Sequence, residues 1–231
     1  MSAAPPPGAP ADFPAAWLGT LLGRTPGTAA LYMQALTHGS AGTDHYERLE
    51  FLGDRVLGLV MAQWLYTLFP HEKEGQLSRR FNQLVAGGTC AQVARECGVP
   101  AHLRLGKQAR DDGAVNSDNV LGDVMEALIG ALYLDHGLEA ARALIERLWA
   151  PLLDARTSAP KHPKSALQEW AAANNRRPPA YELIDRSGPH HALHFTVQVS
   201  IRGAGEARGE GNSKQEAETA AAKALLAQLG G

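Results

Sequence analysis

Cysteine is scarce: the chain of 231 residues holds two, Cys90 and Cys97. Both fall in CAQVARECG, where helical periodicity sets them on one face two turns apart, too distant for a disulfide and too few for a zinc site. They are expected as buried thiols. Long apolar runs are missing too, and nothing approaches the length of a membrane span. Bulk basicity is absent as well, with 22 Lys and Arg against 24 Asp and Glu and a formal net charge of -2. Any nucleic-acid site must therefore be local, not a property of the whole surface. Residues 1–160 carry the acidic excess, 13 basic against 17 acidic side chains, while 161–231 are mildly basic, 9 against 7. The opening MSAAPPPGAPADFP lacks a basic segment followed by an apolar one. That argues against a secretory signal or membrane anchor and predicts a disordered Pro/Ala leader over residues 1–13.

What is present is two grammars. From residue 14 to 153 apolar residues recur every three or four positions, in LLGRTPGTAALYMQALTH, ERLEFLGDRVLGLVMAQWLYTLF, QLSRRFNQLVAGGTCAQVARE and NVLGDVMEALIGALYLD, with no strand alternation between them. An all-α domain is expected there. Stops are legible at Pro70, at Gly98-Val99-Pro100 and at Asp135-His136-Gly137. DARTSAPKHP, residues 154–163, is polar and without periodicity, which marks a linker. Residues 164–231 then read as a small α+β domain of order α-β-β-β-α. PKSALQEWAAANN is helical, PAYELIDRSG is a strand, and ALHFTVQVSIRG alternates, with Leu193, Phe195, Val197, Val199 and Ile201 on one face. GEARGEG is a short third strand. SKQEAETAAAKALLAQL closes as a helix with Ser213 and Glu216 in capping-box spacing.

ERLEFLGDRVLG, residues 47–58, carries a cost. On a helix Glu47, Glu50 and Asp54 share a face, Phe51, Gly58 and Met61 continue it, and Leu49, Leu52, Val56, Leu59 and Val60 cover the other side. Only a narrow stripe around Arg48 and Arg55 reads as solvated, so the helix is expected to be buried on nearly all sides. Carboxylates there need compensation. A second pair, Asp123 and Glu126, recurs among apolar neighbours in LGDVMEALIGALYLD. Two such helices packed together would repel, and a hard divalent cation would relieve the repulsion, with all-oxygen ligation favouring Mg²⁺ or Mn²⁺. Glu50 and Asp54, one turn apart, can flank one ion. Glu47 stands roughly 10 Å in helical rise from Asp54 and suits an outer shell or the substrate. The bland alternative, acids that cap, pair with arginine or face water, is weakened by the repetition on two apolar helices.

ERLEFLGD at 47–54 resembles the ribonuclease III signature, and LTH at 36–38, LRLG at 103–106 and DVMEALIGALYLD downstream agree with it. The resemblance runs from about residue 15 to 229 and points to a bacterial-type enzyme with one endonuclease domain and one double-stranded-RNA-binding domain. It implies that Glu50, Asp54, Asp123 and Glu126 bind metal, that Glu47 and Glu74 complete the cleavage centre, and that Phe51 contacts the second subunit of a homodimer. It further implies hydrolysis of duplex RNA to 5′-phosphate and 3′-hydroxyl ends with short 3′ overhangs, processing of ribosomal RNA precursors and other structured transcripts, and a cytoplasmic location. Gly39 departs from the Arg that often follows Leu-Thr-His.

In the tail the resemblance assigns RNA contacts to Gln168 and Glu169, to His191 in GPHHALHF, and to Ser213 and Lys214 at a helix start whose amides favour phosphate. Gln215 and Glu218 depart from the usual basic pattern. A duplex-binding regulator that does not cut is the alternative, and the six acids speak against it.

Overall fold

The computed structural model describes residues 5–153, 162–187 and 193–230. The chain divides into two compact units, residues 1–159 and 160–231. The first is helical throughout: α1 (Ala15–Leu22), α2 (Ala29–Ala35), α3 (Glu47–Leu68), α4 (Glu74–Leu84), α5 (Gly87–Glu96), α6 (Lys107–Asp111), α7 (Asp118–His136) and α8 (Leu138–Trp149).

α7 is the centre of this unit. From Leu121 to Leu132 every residue of it is buried except Asp123, which is half-buried. A helix apolar around its whole circumference must be packed on all sides, and α3, α5, α2 and α8 do so. Gly137, at φ +80°, breaks α7 where the sequence foretold, and Gly98, at φ +76°, follows the end of α5. Arg80 of α4 donates from Nε and Nη2 to the Glu72 carboxylate at 2.8 and 2.7 Å, which anchors the turn between α3 and α4.

Three expectations change. α3 is not buried nearly all round, because α7 covers one side of it and leaves a stripe with Phe51 at 63%, Leu59 at 56% and Tyr66 at 75% exposure. The stretch read as a disordered leader is described from residue 5, with Phe13 in the core and Asp12 paired to Arg104 at 3.6 Å. Cys97 caps α5 and is only half-buried, whereas Cys90 is buried.

The second unit follows the expected order: α9 (Pro163–Ala173), β1 (Ala180–Ser187), β2 (His194–Ile201), β3 (Gly205–Gly211) and α10 (Lys214–Leu229). The strands form one antiparallel sheet in the order β1-β2-β3, with Tyr181 opposite Val199 and Val199 opposite Ala207. Val197, Val199 and Ile201 are buried, as the alternation required, while Phe195 is half-buried. Leu167 and Ala171 of α9 and Ala221, Ala222 and Leu225 of α10 pack with Val199, Ile201 and Ala207. Gly209 permits that closeness, since a Cβ there would stand 2.0 Å from the Ala221 nitrogen. Ser213 caps α10 by accepting from Glu216 N–H at 3.1 Å, and the Glu216 carboxylate accepts from Asn212 N–H at 2.9 Å. Among the described residues, no helix is long and apolar enough to cross a membrane.

Candidate active site

The glycine within LEFLGD explains how the two acidic helices meet. A Cβ on Gly53 would lie 1.8 Å from the Glu126 carbonyl oxygen, and one on Gly130 would lie 2.3 Å from the Leu49 carbonyl oxygen. No side chain fits either gap, so α3 and α7 touch backbone to backbone. Glu50, three residues before Gly53, and Glu126 are thereby drawn to the same crossing.

The electrostatics record the result. Burial pushes the Glu126 carboxyl up to about 7, and Glu50 and Asp123 push it the same way, against a hydrogen bond with Cys90 and the charge of Arg55. Glu50 is raised by burial and then by Asp123 and Glu47. Asp123 is raised by burial, then held down in part by Tyr46, whose hydroxyl donates to Oδ2 at 3.4 Å, while Glu47 pushes it up again. Glu47 itself is exposed, with His45 Nδ1 3.8 Å from its carboxylate. These four acids share one field, and their repulsion is only partly offset.

The other two candidates sit differently. Asp54 is ion-paired with Arg55. Glu74 begins α4, is exposed, and accepts from the Ser78 hydroxyl at 2.7 Å; none of the described interactions links it to the other acids. Among the described residues no three His, Cys, Asp or Glu side chains form a finished ligand cage. The donor set nevertheless suits a hard divalent cation: carboxylate oxygens from two helices, desolvated and mutually repelling.

Sequence reasoning missed two neighbours. Tyr46, the residue before α3, is buried against Asp123. Cys90 comes from α5, and its thiol is pushed up to about 12 by burial and by Glu126. Its signal was the apolar setting of CAQVARECG, which gives burial but not the partner.

On α3 the exposed Phe51 borders a groove of about 760 Å³ shared with Leu31, Leu52 and Leu134. In the second unit, Lys164 and Gln168 of α9 and Lys214 and Glu218 of α10 line a groove of about 600 Å³. Gln168, Glu169 and Lys214 are exposed and Ser213 is half-buried. His191 lies outside the described residues.

A ribonuclease-III-like family model matches residues 28–152. The chain belongs to the ribonuclease III family. A double-stranded RNA binding motif matches residues 163–229. The Ribonuclease 3 of Zymomonas mobilis is 65% identical over 91% of this chain and 85% of its own length, and that of Dinoroseobacter shibae is 51% identical over 86% and 88%. The nuclease domain of ribonuclease III from Campylobacter jejuni superposes with TM-score 0.57 at 32% identity, covering 59% of this chain and 94% of that one. A second structure of that domain, described for flexibility in a region involved in dimer formation, gives TM-score 0.56 at 33% identity, over 57% and 93%. The chain is a double-stranded-RNA endoribonuclease, with a helical nuclease unit and an α-β-β-β-α unit that binds duplex RNA.

Proposed function

We propose that residues 14–153 form the endonuclease domain and cut duplex RNA with Mg²⁺, or Mn²⁺ in its place, held by Glu50, Asp54, Asp123 and Glu126. The observation that carries this reading is the raised, mutually repelling set of Glu50, Asp123 and Glu126 at a glycine-tight helix crossing. Asp54 completes the set on releasing Arg55. When bound, a divalent ion supplies an activated water and stabilises charge on the leaving 3′ oxygen. Tyr46 holds the Asp123 carboxylate in place. Glu47, at the exposed edge of the cluster, orients water or the scissile strand, and Glu74 serves the same centre from α4. The chain needs no side-chain nucleophile.

Two centres cutting opposite strands leave 5′-phosphate and 3′-hydroxyl ends with short 3′ overhangs, which requires a homodimer. The exposed stripe of Phe51, Leu59 and Tyr66 supports one, because apolar side chains that α7 leaves uncovered gain from burial against a second copy. Residues 164–231 hold the duplex through Gln168, Glu169, His191, Ser213 and Lys214; of the linker expected at 154–163, residues 154–161 lie outside the described residues and Pro163 opens α9. Shape and phosphate contacts carry no base information, so substrates are structured transcripts in general, ribosomal RNA precursors among them, in the cytoplasm.

The test is incubation with long duplex RNA in Mg²⁺, in Mn²⁺ and in EDTA. Cleavage in both metals and none in EDTA is expected. Binding without cleavage in any metal would favour a non-cutting regulator. Light scattering of the full chain is expected to give a dimer mass, reduced by Phe51→Glu.

A further inference from the structure

Glu218 lies one turn into α10, its side chain 16% exposed, among the cations of the second unit. Lys164 Nζ on α9 donates to Glu218 Oε2 at 2.5 Å, and Lys214 Nζ stands 4.0 Å from Oε1. Lys164 also lies over the Tyr181 ring, 4.9 Å from its centroid, so its ammonium is held between a carboxylate and an aromatic face. All three charged side chains line the groove between α9 and α10. A carboxylate in that position does two things at once. It fixes the lysines, and it cancels the charge with which they would meet a phosphate. It also sets negative charge within reach of the helix end that otherwise attracts anions.

We propose that Glu218 is a brake on duplex affinity: in the free protein it neutralises Lys164 and Lys214, and an RNA phosphate engages either lysine only by displacing it. This rests on the reading of the α9–α10 groove as a duplex-contacting face. The functional value is turnover, since a moderated grip speeds release of cut duplex, a step that limits many enzymes. If Glu218 were only a tie between α9 and α10, its removal would leave affinity unchanged or lower it. If it is a brake, removal tightens binding and steepens the salt dependence by roughly one slope unit for each lysine freed to release counterions.

The experiment is fluorescence anisotropy of the full chain in EDTA with a labelled RNA duplex of roughly 30 base pairs, longer than the roughly 16 one such domain spans. It is run across a salt series with thermal melts of every variant. Glu218→Gln is expected to bind about three- to tenfold tighter, the range two partly exposed ion pairs allow, with a steeper slope. Glu182→Gln, which removes an exposed acid of β1, is the control for bulk charge and is expected to change affinity less than about twofold. If Glu218→Gln melts early, Glu218→Ala replaces it, since alanine suits a helix and leaves no buried amide. Unchanged or weaker binding by the folded variant overturns the brake. Lys214→Ala separates the two readings: weakened binding there without tightening at Glu218 removes the brake alone, whereas no effect of Lys214→Ala removes the groove as a duplex-contacting face and the brake with it.

Discussion

Glu126 in the nuclease unit and Glu218 in the RNA-binding unit are both acids on helices with apolar neighbours, yet they face opposite company. Glu126 meets Glu50 and Asp123, and its carboxyl rises to about 7. Glu218 meets Lys164 and Lys214. The same residue type thus stands among like charges in one unit and among cations in the other. Asp135 makes the contrast within a single helix. It shares α7 with Glu126, and burial pushes it up, but Gly27 N–H at 2.8 Å, the Tyr32 hydroxyl at 2.9 Å and Thr28 outweigh burial and hold its carboxyl below the usual range. Burial alone does not decide the fate of a carboxylate; the number and sign of its partners do.

The sharpest way to break this contrast is Glu126→Gln. Losing one carboxylate of the proposed metal site is expected to lower the single-turnover cleavage rate about a thousandfold or more, since metal stabilisation of the transition state is worth several kcal/mol. Duplex affinity in EDTA should stay at the wild-type value. A rate near wild type would remove Glu126 from the site. Mg²⁺ should also raise the thermal midpoint of the wild type and not of the variant, because a ligand that binds only the fold stabilises it.

Gly53→Ala attacks the crossing itself. A Cβ 1.8 Å from a carbonyl oxygen forces the helices apart, and the expected loss is about 3 kcal/mol, or a thermal midpoint lower by roughly 10 °C. Gly58, five residues on, is the control: its Cβ would meet the Phe81 ring at 3.5 Å, an ordinary contact. Gly58→Ala should shift stability by no more than about 1 kcal/mol. Equal effects at both positions would show that the crossing does not depend on a glycine.

Asp135→Asn tests the compensated end of α7. The folded carboxyl lies below its unfolded value, so its contribution is present above about pH 4 and is lost as pH falls through the folded value. The variant should be less stable by about 2 kcal/mol at neutral pH, where a buried acceptor loses charge-assisted bonds. The gap should close under acid, and urea titrations at pH 7 and below pH 4 read it directly. A constant gap would mean that the hydrogen bonds do not depend on the charge.

Smallest is Lys214→Ala. Removing one ammonium that meets a phosphate should weaken binding several-fold, equally for unrelated duplex sequences, and reduce the salt slope by about one unit. A sequence-dependent loss would point instead to contacts with base edges.

Much of the fold was legible because its signals are local. Helical periodicity from residue 14 onward, the stop at Gly137, the alternation of Val197, Val199 and Ile201 and the cap at Ser213 are all written in residues a few positions apart. The acids of ERLEFLGD and DVMEALIG could likewise be singled out by their cost among apolar neighbours. What failed was coverage. A helical wheel lists which residues share a face but not where the neighbouring helix ends, so α3 read as buried nearly all round while Phe51, Leu59 and Tyr66 are open. Asp54 could be placed one turn from Glu50, but its pairing with Arg55 could not be read from spacing.

By itself, then, the sequence determined the element order, the helical and α-β-β-β-α classes of the two units and the residue types able to hold a cation. Those follow from repeat period, capping chemistry and the price of desolvating charge. Only the tertiary structure decided which carboxylate meets which partner. Gly53 and Gly130 set Glu126 against Glu50, Cys90 reaches Glu126 from α5, and Lys164 reaches Glu218 from α9. These pairs lie from 36 to 76 positions apart along the chain. The energy of a charge depends on what stands within a few ångströms of it, and that distance is set by helix packing, which no local pattern encodes.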